Sequence, residues 1–407
     1  MWYSVGSTIY MFGLWAITYL VLIVSGPANS GILSVAMAIT NVCYTIAVWG
    51  MRSYQVSDID GRFSDNTYIM SRLITCIVSV AACAVFVFVK DYSYEKRLCF
   101  ILYMIFKVSE AGADVFNGIV QKHWRMDIIG KSYIARAALT VAAFTLTLKF
   151  TGSLPLAILS MMVGSFAVII FYDVIQTVKI SHVQIKWDFQ STHKLLIQCA
   201  PLVICSFLYT FNALIPRLLL EEKFGDTIQG FYAAIASPVL IVQLLASYIY
   251  SPLIPLFSKS HADHNTSAFS RLLIKILLLI LALSVVSIFV CYLFGDWGLS
   301  IIFVSQKKSG LFGYFNILIP TMLTAIGTSL IWLLNGVITA IRQIKSLFFI
   351  AFAGSIVCVV ITKYFVYKYG ANGINISMII VQAVQIVLMM SLVIRYIQKG
   401  KSNPINK

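Results

Sequence analysis

Three charged side chains lie close together in a long apolar stretch of the first half of the chain. Lys107, Glu110 and Asp114 are three and four residues apart, which places them on one face of a helix, and Asn117 and Gln121 continue that face. A carboxylate held in an apolar setting can take up H⁺ or Na⁺, and a nearby ammonium can tune it or contact a phosphate. We therefore predict an ion-coupling role for Glu110 and Asp114 and a substrate contact for Lys107. The alternative is a neutral network that only locks helices together.

The stretch that carries these charges, 98–121, is long enough to cross a bilayer. Each unpaired charge at bilayer mid-depth costs about 3 kcal/mol. An isolated span would not carry three of them. The charged face must therefore point toward protein or water, and we expect the other apolar segments to surround it.

The composition indicates a membrane protein. Of the 407 residues, 60% are hydrophobic and only 11% are charged, whereas soluble domains are about 25% charged. We predict an all-α integral membrane protein with about 12 transmembrane helices. The predicted spans are 3–24, 31–51, 68–89, 98–121, 132–150, 154–177, 195–220, 228–253, 268–294, 311–336, 347–367 and 373–396.

The basic residues are numerous but scattered. The chain has 30 Lys and Arg against 15 Asp and Glu, and they occur one to three per loop, which argues against nucleic-acid binding. Their excess on alternate loops predicts that both termini lie in the cytoplasm. The eight cysteines show no paired spacing, and no nucleotide-binding, nucleophile or metal-ligand motif stands out. We therefore expect no enzyme activity, no cofactor and no metal.

A polar segment near the middle divides the chain. We predict an N-terminal six-helix bundle over 1–178, a cytoplasmic linker over 179–193, a C-terminal six-helix bundle over 194–397 and a basic cytoplasmic tail over 398–407. A weak internal repeat supports two related halves, because Ser25-Gly-Pro followed by Gly31 parallels Phe224-Gly-Asp followed by Gly230.

Three segments of the first half resemble a known family. GILSVAMAITN (31–41), GMRSYQVSD (50–58) and YIMSR (68–72) resemble bacterial polysaccharide flippases, the Wzx-like oligosaccharide transporters of the multidrug/oligosaccharidyl-lipid/polysaccharide exporter superfamily. The similarity in span layout extends over the whole chain. The resemblance implies two six-helix bundles around a central cavity.

The resemblance also implies a function. Such a flippase moves oligosaccharide units linked to polyprenyl pyrophosphate across the cytoplasmic membrane by alternating access, for O-antigen, capsule or exopolysaccharide assembly. The expected partners are the lipid-linked oligosaccharide, membrane lipids, a coupling H⁺ or Na⁺, and the polymerase and glycosyltransferases of the same pathway.

A pyrophosphate-linked substrate calls for forked cationic donors, because arginine meets phosphate oxygens with two hydrogen bonds. Arg52 ends the second span, Arg136 lies one turn into the fifth, and Arg217 lies near the outer end of the seventh, with Asn212 one turn earlier. We predict that these four residues contact the substrate. The alternatives are interfacial anchoring for Arg52 and Arg217, and for Arg136 either snorkelling or pairing with an acid of the preceding helix.

Three other functions remain open. A multidrug or cation exporter of the same superfamily would need an acidic cavity with few arginines. A membrane glycosyltransferase or polymerase would need a sizeable outer loop with acidic residues, and no predicted outer loop exceeds about twenty residues. A non-transporting scaffold would be a sealed bundle without a cavity.

Overall fold

The computed structural model describes residues 2–58, 62–181, 188–302 and 311–402. In this part of the chain all regular elements are helices, which confirms the predicted all-α class. The α-helices are α1 (Trp2–Ser25), α2 (Pro27–Val48), α3 (Met51–Ser57), α4 (Asp65–Val89), α5 (Tyr94–Lys122), α6 (Met126–Thr151), α7 (Leu154–Val168), α8 (Ile175–Ile180), α9 (Phe189–Ala236), α10 (Leu240–Tyr250), α11 (Ile254–Ala262), α12 (Thr266–Ile302), α13 (Leu318–Ala340), α14 (Ile344–Tyr369) and α15 (Ala371–Ser402).

The helix lengths agree with a multi-pass membrane protein. Eleven helical segments within the described residues are long and apolar enough to cross a membrane. The helix α5, which contains the predicted fourth span, is not among the eleven. The reason is that its middle carries the charged stripe formed by Lys107, Glu110 and Asp114. At 29 residues it is about 44 Å long, which is sufficient to cross a bilayer.

Two glycines make equivalent breaks between helices. Gly26 separates α1 from α2 with φ 88° and ψ 176°, and Gly225 interrupts α9 with φ 79° and ψ 176°. This backbone region is essentially restricted to glycine, because a Cβ would clash with the backbone there. The internal repeat expected from the sequence therefore has the same backbone geometry at both of its glycines.

Several boundaries differ from those predicted. The segment 25–30 was expected to be a turn, yet α2 begins at Pro27, because proline is well suited to the first position of a helix. The loop expected after the second span contains α3, so Arg52 lies on a short helix rather than at the end of that span. The helix α15 continues to Ser402, into the predicted tail, and 403–407 lie outside the described residues.

The described chain divides into two compact units, Met1–Leu214 and Ile215–Lys407, with the boundary inside α9. The first turns of α9 belong to the first unit, where Leu195 and Cys199 pack in a buried cluster with Met51, Tyr68 and Val115. The predicted two-bundle division, with its linker at 179–193, stays a prediction. Residues 182–187 of that linker lie outside the described residues.

In the first unit, α5 is the central helix. It packs against α2, α3, α4, α6 and α7, as expected for a helix whose charged face needs protein around it. The helix α1 packs along α6, and a Cβ on Gly6 would lie 2.2 Å from the Gly130 carbonyl oxygen, so this contact requires glycine. In the second unit, α15 packs against both α13 and α14, and α10 and α12 pack against α13.

We expect Gly225→Ala to lower the free energy of unfolding by about 1–3 kcal/mol, because alanine is strained at this φ and ψ. The matched control is Gly298→Ala, which lies inside α12 with no atom within 4 Å of its new Cβ and should be neutral or stabilising, since alanine favours helix. Unfolding of the purified protein in detergent measures both. Equal effects of the two substitutions would contradict the glycine-specific break.

Candidate functional site: a charged network inside the first unit

Lys107 and Glu110 form a largely buried ion pair in the middle of α5. The Lys107 Nζ lies 2.6 Å from Glu110 Oε2, and the two side chains are 10% and 9% exposed. The Tyr10 hydroxyl of α1 donates a hydrogen bond to the other Glu110 oxygen. The Lys107 ammonium also lies 5.2 Å from the centre of the Tyr44 ring and 5.9 Å from that of Tyr103. This part of the stripe is closed by aromatic side chains.

Asp114, one turn further along α5, binds two arginines. The Arg52 Nη1 lies 2.9 Å from Asp114 Oδ1, and the Arg72 Nη2 lies 2.8 Å from Asp114 Oδ2. Arg52 also donates to Gln121 at 3.0 Å, and Arg72 donates to the Ala47 carbonyl at 2.7 Å. One carboxylate therefore carries two guanidinium groups, and this cluster has a net positive charge.

A tight turn positions Arg52 against α5. The helix α2 ends at Trp49 in the left-handed conformation, with φ 48°, so the chain reverses into α3. The Trp49 indole donates to the Leu196 carbonyl at 2.8 Å. Gln55 of α3 donates to the Val115 carbonyl at 3.2 Å and is fully buried. These contacts hold α3 on α5, so that Arg52 faces Asp114.

Arg136 forms a buried ion pair with Asp173, which follows it in the chain. Its Nη2 lies 2.7 Å from Asp173 Oδ2, and the side chains are 2% and 3% exposed. Asp173 lies in a six-residue π-helical segment, Ile169–Val174, between α7 and α8, and such wider turns are frequent at functional sites. The Arg136 guanidinium also lies 5.9 Å from the centre of the Tyr10 ring. Tyr10 therefore links Arg136 to the Lys107–Glu110 pair.

Exposure separates the network into a closed and a more open part. The pairs Lys107–Glu110 and Arg136–Asp173 are at most 10% exposed. The Arg52 and Asp114 side chains are 23% and 17% exposed. Within the first unit, Arg52 is thus the network cation that a ligand reaches most directly.

The other two predicted substrate residues lie on α9. Asn212 is buried in the first unit, and Arg217 is half-buried in the second. The contact of either residue with a substrate stays a prediction.

Sequence reasoning missed three members of the network. Arg72 ends the segment YIMSR that carries part of the resemblance, but nothing in the sequence pairs it with Asp114. Tyr10 gives no signal in the sequence, since a tyrosine in a span is ordinary. Asp173 did give a signal, because a lone acid within the apolar run 168–175 indicates a buried partner. The alternative in which Arg136 pairs with an acid of the preceding helix is wrong, because its partner Asp173 lies further along the chain, after α7.

The polar interior of the second unit consists mainly of neutral groups. The Tyr232 hydroxyl donates to Asn375 at 3.2 Å, and the Asn375 amide donates to the Thr321 hydroxyl at 3.0 Å. Gln382 donates to the Thr328 hydroxyl at 2.9 Å. Amides and hydroxyls can orient a sugar, but they add no charge to the site.

Asp58 closes the loop that follows α3. Its carboxylate accepts hydrogen bonds from the backbone amides of Arg62 at 2.9 Å and Phe63 at 3.0 Å, and from the Tyr68 hydroxyl at 3.2 Å. Partial burial raises the pKa of Asp58, but these hydrogen bonds outweigh it, and the pKa lies below its ordinary value. Asp58 thus stabilises the loop as an ionised group. Among the described residues, no three His, Cys, Asp or Glu side chains are grouped to hold a metal ion.

The chain matches a known protein family. Residues 1–261 match the model of a family described as polysaccharide biosynthesis protein. The chain belongs to this family. A relative from Staphylococcus aureus, the capsular polysaccharide biosynthesis protein CapF, is 24% identical over 316 residues, which is 76% of each chain.

Solved structures of other membrane proteins share the fold of this protein. The lipid II flippase MurJ in an inward closed conformation aligns with a TM-score of 0.76 and 13% identity over 98% of this chain and 89% of that one. An inward-facing multidrug resistance transporter of the MATE family aligns with a TM-score of 0.75 and 12% identity over 99% of both chains. At these identities the likeness establishes the fold alone, and it confirms the predicted fold class.

The contribution of the buried Arg136–Asp173 pair to stability can be tested by substitution. We expect Asp173→Asn to lower the free energy of unfolding by about 3–5 kcal/mol, because it leaves a buried guanidinium without its partner. The double variant Arg136→Met with Asp173→Leu should recover most of this loss, since an apolar pair leaves no buried charge. Unfolding in detergent measures both. A double variant as unstable as the single one would show that the pair itself stabilises the fold.

Proposed function

We propose that this protein is a flippase that moves oligosaccharide units linked to polyprenyl pyrophosphate across the bacterial cytoplasmic membrane, for assembly of O-antigen, capsule or exopolysaccharide. The observation that carries the proposal is the cluster of Arg52, Arg72 and Asp114, a cationic site inside a membrane bundle of a polysaccharide biosynthesis family member. The proposal includes alternating access, both termini in the cytoplasm, and a role as a carrier rather than an enzyme.

The charge balance of the network favours an anionic substrate. Inside the first unit, Arg52, Arg72, Lys107 and Arg136 face only three carboxylates, those of Glu110, Asp114 and Asp173. The excess is on the open part of the network, where two arginines share Asp114. A pyrophosphate brings about two negative charges, and it would supply the counter-charge that this part lacks.

Arg52 is the residue that we assign to first contact with the headgroup. It is the most exposed member of its cluster, and it binds Asp114 and Gln121 through separate nitrogens. A phosphate oxygen can replace either partner without leaving the guanidinium unpaired. Arg72 is only 2% exposed and is anchored to Ala47. It therefore keeps Asp114 in place while Arg52 changes partner. We also keep Lys107, Arg136, Arg217 and Asn212 as substrate contacts reached later in the cycle.

Glu110 and Asp114 are the proposed ion-coupling residues. Glu110 is held by one ammonium and one phenol, and these partners come from α5 and α1. A proton or Na⁺ at Glu110 would weaken its bond with Tyr10 and with it a tie between these two helices. When the headgroup takes Arg52 from Asp114, the carboxylate loses one of its two cations. Ion binding at the acidic pair and substrate binding at Arg52 are in this way linked.

The cation exporter is the weaker alternative, because a cationic drug would meet two arginines around Asp114 rather than an open acidic site. The Lys107–Glu110 pair likewise offers no uncompensated acid.

We expect Arg52→Ala to reduce surface glycan by roughly tenfold or more in a strain that depends on this protein, since a charge-assisted bond contributes about 1.5–3 kcal/mol. Arg52→Lys should be intermediate, because lysine cannot bind two partners in the fork geometry. The control is Arg62→Ala, an exposed arginine near the same helix. Surface glycan is measured against the amount of protein in the membrane. Wild-type glycan from Arg52→Ala would exclude first contact at this residue.

The double variant Glu110→Gln with Asp114→Asn should abolish surface glycan and leave the protein in the membrane, because it removes both proposed ion-binding carboxylates while keeping their size. The control is Glu95→Gln, an exposed acid on the same helix. Normal glycan from the double variant would remove the coupling role from this stripe.

A further inference from the structure

A cavity of about 550 Å³ lies in the second unit, where the ends of α11 and α13 meet. Its polar wall consists of basic and hydroxyl side chains: His261, His264, Arg342, Ser258 and Thr339. The described residues that line it include no carboxylate. The Thr339 hydroxyl donates to the Asn335 carbonyl at 2.7 Å. The other four groups can donate hydrogen bonds into the cavity, so the polar wall suits an anion.

His261 is held in place by the last helix. Its Nδ1 lies 2.7 Å from the Tyr396 hydroxyl oxygen of α15, and the two rings lie 5.6 Å apart. The Tyr396 ring in turn packs on Phe269 at 5.1 Å, and Phe269 packs on Phe257 at the same distance. Because both aromatic and polar contacts fix the ring, the cavity has a preformed wall rather than a mobile one.

The other two basic residues occupy strained backbone positions. His264 and Arg342 have φ 51° and 59°, the left-handed conformation that glycine adopts at least cost. Each lies just after the end of a helix, and the backbone amide of the residue that follows it donates to a carbonyl of the last helical turns. The Asn265 amide donates to the Ser260 carbonyl at 2.9 Å, and the Gln343 amide donates to the Ile338 carbonyl at 3.2 Å. Basic side chains thus stand on two neighbouring turns where glycine would be less strained, which is the kind of outlier that functional sites retain.

The remaining wall of the cavity is apolar and lies deeper in the helices. Ile254 lies about two turns before His261, and Gly336 lies about two turns before Arg342. The α11–α12 and α13–α14 turns are both on the predicted cytoplasmic side, where Lys259 and Lys345 add exposed positive charge. A basic rim above an apolar wall at a membrane interface matches a phosphate headgroup above the start of its acyl chains.

We propose that this cavity binds the phosphate of an anionic phospholipid of the cytoplasmic leaflet, with Arg342 and His264 as its main contacts. The guanidinium holds the phosphate by two hydrogen bonds, His261 gives a fixed donor or acceptor, and Ser258 and Thr339 meet the polar headgroup. None of the residues that line this cavity belongs to the charged network of the first unit.

The experiment is thermal unfolding of the purified full-length protein in detergent, with phosphatidylglycerol added in mixed micelles. A ligand that binds the folded state raises the midpoint, so titration gives an apparent affinity. We expect phosphatidylglycerol to raise the midpoint and phosphatidylcholine to do so far less. His264→Gly and Arg342→Gly should each weaken the phosphatidylglycerol response about tenfold, as expected for loss of one charge-assisted contact. Without lipid, neither variant should be less stable, since glycine relieves the left-handed backbone.

The matched control is Trp124→Gly. Trp124 is 88% exposed and has φ 60° in the same kind of turn, with the Arg125 amide bonded to the Val120 carbonyl at 3.2 Å. It should gain the same backbone relief and keep the full lipid response. Arg342→Asn is a second variant, because asparagine tolerates this backbone and removes the charge. An unchanged phosphatidylglycerol response in both Arg342 variants, or an equal response to phosphatidylcholine, overturns the proposal. If inorganic phosphate alone gives the full stabilisation, the site is for free phosphate and the lipid assignment fails.

Discussion

The structure of the first unit depends on one constraint: a charge that lies inside an apolar bundle must find an opposite charge or a hydrogen-bond donor there. The helix α5 carries three charges at mid-length: Lys107 and Glu110 pair with each other, and the two carboxylates also bind groups of neighbouring helices. Tyr10 of α1 reaches Glu110, while Arg52 of α3 and Arg72 of α4 reach Asp114. The need to pair the charges of α5 therefore determines where α1, α3 and α4 lie around it.

The stripe itself was readable in the sequence, because residues three and four apart on a helix share a face whatever surrounds them. Its partners were not, because pairing between helices depends on their packing, which one sequence does not show. Arg136 illustrates the limit. An acid one helix earlier and an acid one helix later fit it equally well by position along the chain, and only the fold selects Asp173. Tyr10 is a harder case still, since nothing separates it from an interfacial tyrosine.

Some backbone features could likewise be predicted from the sequence, and others could not. The paired breaks at Gly26 and Gly225 were readable, because glycine followed by proline or aspartate at the same offset indicates a turn that other residues resist. The helix α3 could not be predicted from the sequence, since its seven residues are mostly polar. Its helical form depends on the contacts that Trp49 and Gln55 make with neighbouring helices. The strained turns at His264 and Arg342 were equally hidden, as a left-handed residue other than glycine has no signature in sequence.

The two units differ in how their interior polar groups can behave. A salt bridge in the first unit can exchange partners, because Arg52 or Asp114 meets an incoming charge as well as it meets its present one. The amide and hydroxyl contacts of the second unit, such as Asn375 with Thr321, have no comparable reason to open for an anion. In the proposed flippase, first contact with the substrate charge therefore belongs to the first unit. On this argument, charge substitutions on α3, α4 and α5 should act on that first contact, while substitutions of the buried amides of α15 should act on stability or on sugar fit.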